Sequence, residues 1–100
     1  MNLKNLEGQK GILRILVYLL DKGEVSIQKI TDNTDLYYSI VKKSSSLLRE
    51  YGLANTRVDN STYPPRNMIS LTDKGKKVAE YLKKVEELLE GWIAIHQGIY

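Results

Sequence analysis

Residues 38–46 read YSIVKKSSS, a run that sets a phenol, four hydroxyls and two ammonium groups close together. Such groups hydrogen-bond to phosphate oxygens and to base edges. Covalent chemistry is far less well served. The chain has no cysteine, which excludes thiolate nucleophiles, disulfides and cysteine metal sites. Its single histidine, His96, has no partner cluster, so a nucleophile, a base and an orienting group cannot be assembled. Neither a metal nor a cofactor is expected. The seven glycines fall at none of the spacings of a phosphate-cradling loop. The residue types are those of a binding protein, not of an enzyme.

The charge is distributed unevenly. Residues 1–36 carry five basic and five acidic side chains, a sum of 0. Residues 37–77 carry eight basic and three acidic, a sum of +5, and residues 78–100 carry two basic and four acidic, a sum of −2. The middle of the chain is therefore the electropositive part, which is the footprint of a polyanion binder. The longest apolar run, residues 15–20, is far short of the roughly 20 needed to span a bilayer. The N-terminal stretch MNLKNLEGQK has no apolar core, so no secretory signal and no membrane partner are expected, and the location implied is cytoplasmic, on the nucleoid.

The elements that position the basic run follow from periodicity and punctuation. Residues 9–22 form a strongly apolar helix with Ile12, Leu13, Leu16, Leu19 and Leu20 inward, ended by Gly23. The EVS stretch is a short extended step, and Ser26 caps a brief helix to about Asn33 with Ile27 and Ile30 inward. After a polar turn, residues 38–51 form a third helix that stops at Gly52. On it Val41, Ser45 and Leu48 share one stripe with Leu47 and Tyr51 beside it, so that side faces the core. The opposite side shows Tyr38, Ser39, Lys42, Lys43 and Ser46. Tyr37, just before the helix, is expected to pack half-buried. Apolar Val58 and the alternation of Met68 and Ser70 make LANTRV and NMISL half-buried strands, joined by the proline-stiffened DNSTYPPR. Thr72 then caps a long final helix that needs no break.

That order of elements, with Leu36 in the turn, LLREYGL closing the third helix and PPRNMISLTDKGKKVA after the loop, resembles the winged helix-turn-helix family of transcription regulators, in particular small MarR-like and HxlR-like members. The likeness covers roughly residues 10–90. It implies a mainly α protein with a small β-hairpin, an α+β chain forming one domain over residues 1–100. Residues 9–71 would be the winged core and residues 72–100 the dimerisation helix. It further implies that the helix at 38–51 enters the major groove of double-stranded DNA and that a wing at 59–66 lies along the backbone or minor groove. Tyr38, Ser39, Lys42, Lys43, Ser46, Arg57 and Arg66 are then the DNA-binding residues. Three positions depart from the pattern: Tyr37 stands where serine or threonine is usual, Ile40 where a polar base contact is common, and Ser44 with Ser45 where bulkier core residues are common.

In the last helix Val78, Val85 and Trp92 fall seven apart, and Tyr81, Leu88 and Ile95 fill the intervening positions, with Leu82 and Leu89 widening the stripe. A helix of that length runs roughly 40 Å at 1.5 Å per residue. The body of the domain cannot cover it, so these residues are expected to make a homodimer. Any small-molecule effector, of unknown identity, would bind at the subunit interface. Two rival readings stay open: a chromatin protein with little sequence preference, and a winged-helix adaptor for other proteins. Operator sequence, and activation as against repression, are not readable from the residues.

Overall fold

The computed structural model describes residues 1–92, so His96, Ile95 and the side chain of Trp92 lie outside what is described. The element order is α1 (Leu3–Glu7), α2 (Ile12–Lys22), β1 (Val25–Ser26), α3 (Ile27–Asn33), α4 (Tyr38–Glu50), β2 (Ala54–Asp59), β3 (Arg66–Leu71) and α5 (Asp73–Glu87). A π-helical turn, Leu88–Trp92, extends α5. The chain is mainly helical. Its strands form one antiparallel sheet in the order β1-β3-β2, so the expected hairpin gains a short third strand on the β3 side. The register pairs Val25 with Ile69, and runs from Ala54 opposite Leu71 to Asp59 opposite Arg66.

Helix α2 is the hub of the core. Its buried residues are Ile12, Ile15, Leu16 and Leu19, one stripe of a 3.6-residue period. Leu13 was expected on that stripe but is exposed, and Ile15 takes its place. At 100° per residue Ile15 lies 60° from Ile12 on one side, whereas Leu13 lies 100° away on the other. The helix also starts three residues later than expected. Gly11, at φ +81°, breaks the chain there, and the methyls of Leu36 leave no room for a Cβ, which would sit 2.7 Å from the nearer of them. Gly23, at φ +72°, ends the helix as anticipated.

Helix α3 opens on Ser26, whose Oγ accepts from Lys29 N at 3.0 Å, and buries Ile27 and Ile30. Thr34 closes it, donating to Ile30 O at 2.8 Å. Helix α4 begins without a side-chain cap, because the N-cap position is Tyr37. That tyrosine is 75% exposed, which corrects the half-buried expectation. The buried residues of α4 are Val41, Ser44, Ser45 and Leu48. The two serines satisfy themselves at home: Ser44 Oγ donates to Lys10 O at 3.2 Å and Ser45 Oγ to Val41 O at 2.7 Å. The small size of Ser44 brings α4 close to the α1–α2 turn. Of the three consecutive serines only Ser46 faces outward.

The sheet is buried near the body and bare at its far end. Ala54, Met68, Ile69 and Leu71 are buried, but Val58 is 55% exposed, against expectation. Val58 faces α4 across an open hollow that it lines with Lys42, Ser45 and Ser46, so solvent reaches it there. Strand β3, central in the sheet, buries the adjacent residues Met68 and Ile69 instead of alternating.

Helix α5 packs on α2 through Val78, Ala79 and Leu82, and Lys83 Nζ reaches Asp21 at 2.7 Å. Thr72 caps it, with Oγ1 accepting from Gly75 N at 3.0 Å and donating to Gly52 O at 2.7 Å. Gly75 is buried against the backbone of Leu53. A Cβ there would lie 1.9 Å from the Leu53 carbonyl oxygen. Gly75→Ala must therefore separate α5 from the start of β2, and should lower stability by about 3 kcal/mol. Gly8→Ala is the matched control. Its backbone is right-handed helical at φ −73° and the nearest atom to its added Cβ is 3.7 Å away. That variant should be neutral or more stable by up to about 1 kcal/mol. The midpoints of urea unfolding measure both; a wild-type midpoint for Gly75→Ala would show that the close approach does not exist in solution.

Candidate nucleic-acid interface

The outer face of α4 presents Tyr38, Ser39, Lys42, Lys43, Ser46 and Arg49, all exposed. Residues 42, 46 and 49 follow one another at helical spacing along the edge beside the hairpin, while Lys43 lies on the other edge with Leu47 and Tyr51. Three hollows adjoin this helix. The first, about 400 Å³, lies between α4 and the hairpin and brings together Lys42, Ser46, Arg49, Thr56, Arg57 and Asn67. The second, about 510 Å³, lies between α3 and the loop at the hairpin tip, and holds Tyr38 and Arg66. The third, about 540 Å³, lies on the far side of α4 and holds Lys43. The expected site residues thus surround α4 in separate hollows instead of forming one cluster. Lys74, Lys76 and Lys77, on the first turn of α5, are exposed but line none of the three.

The arginines are tied to the protein. Arg57 grips Glu24 with two hydrogen bonds, Nη2 to Oε1 at 2.6 Å and Nε to Oε2 at 2.9 Å. Hydrogen bonding from Arg57 is the main cause that holds the Glu24 carboxyl below its usual range. This fork clamps β2 to the residue before β1, across the width of the sheet. Arg66 Nη2 donates to Asp59 Oδ2 at 3.1 Å, closing the two ends of the loop. Arg49 Nη1 donates to Thr56 Oγ1 at 3.3 Å, joining α4 to β2. Sequence reasoning missed Arg49. It stands seven residues after Lys42 on the same edge, a signal masked because LLREYGL reads first as a helix ending. It had no means of finding Glu24 as the partner of Arg57, 33 positions away.

On α5 the residues Tyr81, Val85, Leu88 and Leu89 are exposed and share one apolar face. Val78, expected on that seam, is half-buried and packs against the chain's own core. Among the described residues no group of three or more His, Cys, Asp or Glu side chains is placed to hold a metal. No helix among them is long and apolar enough to cross a membrane.

No protein-family model matches the sequence, and no curated protein does. Solved structures do match. A transcriptional regulator homologue from Pyrococcus horikoshii OT3 is 20% identical, with 89% of this chain and 97% of that one covered and a TM-score of 0.67. A protein from Enterococcus faecalis V583 classed with MarR-family transcriptional regulators is 19% identical, covering 98% and 86%, with a TM-score of 0.77. Sso10a-2, a DNA-binding protein from Sulfolobus solfataricus, is 17% identical, covering 87% and 90%, with a TM-score of 0.66. The chain has the winged helix-turn-helix fold of the MarR-type regulators. The three proteins it is similar to here are two transcriptional regulators and a DNA-binding protein.

In this fold α3 and α4 are the helix-turn-helix and the β2–β3 loop is the wing. Asp59 is the wing's internal anchor. Its Oδ1 accepts from the side chain and the backbone of Ser61, and its Oδ2 from Arg66. The hydrogen bonds of Ser61, then that of Arg66, lower its pKa from the ordinary 3.8 to about 2. A depressed carboxyl contributes stability that is complete above the unfolded value and is lost as pH falls through the folded one. The wing should therefore hold its form from neutrality down to about pH 4 and loosen between 3.8 and about 2. A carbon-detected NMR titration of Asp59 should give a midpoint near the lower value, and Asp59→Asn should abolish the matching shifts of the Ser61 amide. A midpoint at the ordinary carboxyl value would mean that the anchor is not formed.

Proposed function

We propose that this chain is a homodimeric, duplex-DNA-binding transcriptional regulator that inserts α4 into the major groove and lays the wing along the backbone or minor groove. The observation that carries the reading is the state of the cations on α4. Lys42 and Lys43 stand exposed with no ion-pair partner among the described residues, and no carboxylate lines the hollow beside either of them. An adaptor surface for proteins has no need of such uncompensated charge. The fold likeness to a DNA-binding protein and to transcriptional regulators supports the same class.

The residues assigned to DNA are Tyr38, Ser39, Lys42, Lys43 and Ser46, with Arg49 added. Arg57 and Arg66 act by shaping the wing, and reach phosphates only at its rim. Lysine supplies a point charge and suits phosphate better than a base edge. Lys42→Ala together with Arg49→Ala should reduce the slope of log affinity against log salt by about two, at roughly 0.9 per phosphate contact. Fluorescence anisotropy at several salt concentrations reads this directly. An unchanged slope in the folded double variant defeats the assignment. Selection from random duplexes separates the regulator from a chromatin protein, because a consensus favours the first and flat enrichment the second.

The dimer is assigned to α5. Tyr81, Val85, Leu88 and Leu89 are exposed together, an apolar stripe that a lone chain leaves in water. Pairing them about a two-fold axis would present two α4 helices to successive major grooves about 34 Å apart. Val85→Glu with Leu88→Glu should convert a dimer into a monomer in analytical ultracentrifugation. A wild-type chain that is monomeric at micromolar concentration, or a double variant that stays dimeric, places the interface elsewhere.

A further inference from the structure

We infer that residues 2–9 form a second backbone-binding surface, which grips the DNA strand on the side of α4 away from the wing. The inference rests on the DNA-binding reading and adds to it a contact that the recognition helix and wing do not supply. An inserted α-helix is about 10 Å across and the major groove about 12 Å wide, so a phosphate strand passes along each flank of the helix. The hollow between α4 and the hairpin faces one strand. The third hollow, about 540 Å³, faces the other.

Its chemistry suits phosphate. It is lined by Asn2, Lys4, Asn5, Gln9 and Lys43, with the half-buried Leu47 and Tyr51 of α4 beside them. Two ammonium groups and three carboxamides are gathered there, and no carboxylate lines it. Neither Lys4 nor Lys43 has an ion-pair partner among the described residues. The amide oxygens of the two asparagines are already used, and Gln9 donates one N–H to Lys10 O at 3.4 Å. Asn2 Oδ1 accepts from Lys4 N at 3.0 Å and Asn5 Oδ1 from Asn2 N at 2.9 Å, a reciprocal cap that fixes the first turn. Both side-chain NH2 groups are left as donors, the polarity a phosphate oxygen needs.

The segment is also anchored to the body of the domain beside α4. Leu6 is buried in the core, and the Ser44 hydroxyl ties α4 to the carbonyl of Lys10 just beyond Gln9. Lysines on a loose tail would lose entropy on contact, whereas these sit on a positioned turn.

The test measures binding of the full chain to a mixed-sequence duplex between about 50 and 200 mM salt. Lys4→Ala should lower the slope of log affinity against log salt by about 0.9 and weaken binding roughly tenfold at the low-salt end. Lys4→Arg should restore both. Lys22→Ala, at the far end of α2, should change neither. If the wild type binds and Lys42→Ala weakens it while Lys4→Ala leaves affinity and slope unchanged, this surface is overturned and the DNA-binding reading stands. If the wild type does not bind duplex at low salt, both are overturned.

Discussion

The Leu53 carbonyl is the joint on which the arrangement depends. It accepts from Thr72 N at 3.0 Å, and Gly75 lies so close to it that a Cβ would be 1.9 Å away. The Leu53 amide meanwhile donates to Leu48 O at 2.9 Å, inside the last turn of α4. One residue therefore connects the end of α4, the start of the sheet and the first turn of α5. The Thr72 hydroxyl adds the Gly52 carbonyl to the same knot. This explains why the helix cap lacks a partner acid. A capping box would put Glu or Gln three residues after Thr72, and any side chain at that position would collide with Leu53. Close approach excludes the better cap, and rigid placement of α4 against both the wing and α5 is the result.

The middle of α4 is fixed by a different device. Ser44 and Ser45 are poor helix formers, yet their buried hydroxyls are satisfied by Lys10 O and Val41 O, so neither leaves an unpaired polar group in the core. A larger residue in place of Ser44 would push α4 away from the α1–α2 turn. At that turn Gly11 admits the Leu36 side chain, so a glycine and Ser44 let three segments meet with little between them. Helix α4 is thus anchored at its centre and its end by small residues, and on its outer face only Arg49, bonded to Thr56, is seen tying it to the sheet among the described residues.

How much of this was legible follows from the range of each signal. Gly23, Ser26, Gly52 and Thr72 act within a few residues of themselves, and each marks its boundary as read from the sequence. The exposed face of α4 was also legible, because helical spacing separates Lys42 and Lys43 from Val41 and Leu48. What depended on distant contacts was not. Leu13 and Ile15 are equally apolar, and only the packing around α2 decides between them. The Val58 side chain reads as part of a half-buried strand until the open hollow between it and α4 is seen. The serine run reads as a polar face, whereas two of its members pack against a carbonyl and a helical turn that no local pattern reveals. In α5 the spacing of apolar residues locates the exposed stripe, but Val78 is claimed by the chain's own core, and the π-helical turn at Leu88–Trp92 shifts the repeat beyond Glu87.

The division between the two basic residue types carries the functional argument one step further. All four arginines have protein partners: Arg14 with Asp35, Arg49 with Thr56, Arg57 with Glu24 and Arg66 with Asp59. Among the lysines only Lys83 is ion-paired within the described residues. Arginine has the planar fork that reads guanine edges, and here three of the four forks meet carboxylates that set the form of the wing and the turn before α4. The cations left facing outward on α4 without a carboxylate partner are Lys42, Lys43 and Arg49, the last held by the Thr56 hydroxyl, and the lysines attract phosphate without distinguishing bases. On the proposed reading, affinity therefore comes from the backbone of both strands. Selectivity must then come from what a rigid two-fold frame can measure: groove width, the spacing of half-sites and the ease of bending between them. The few groups able to touch bases, Ser39, Ser46 and the Tyr38 phenol, would refine that choice without dominating it.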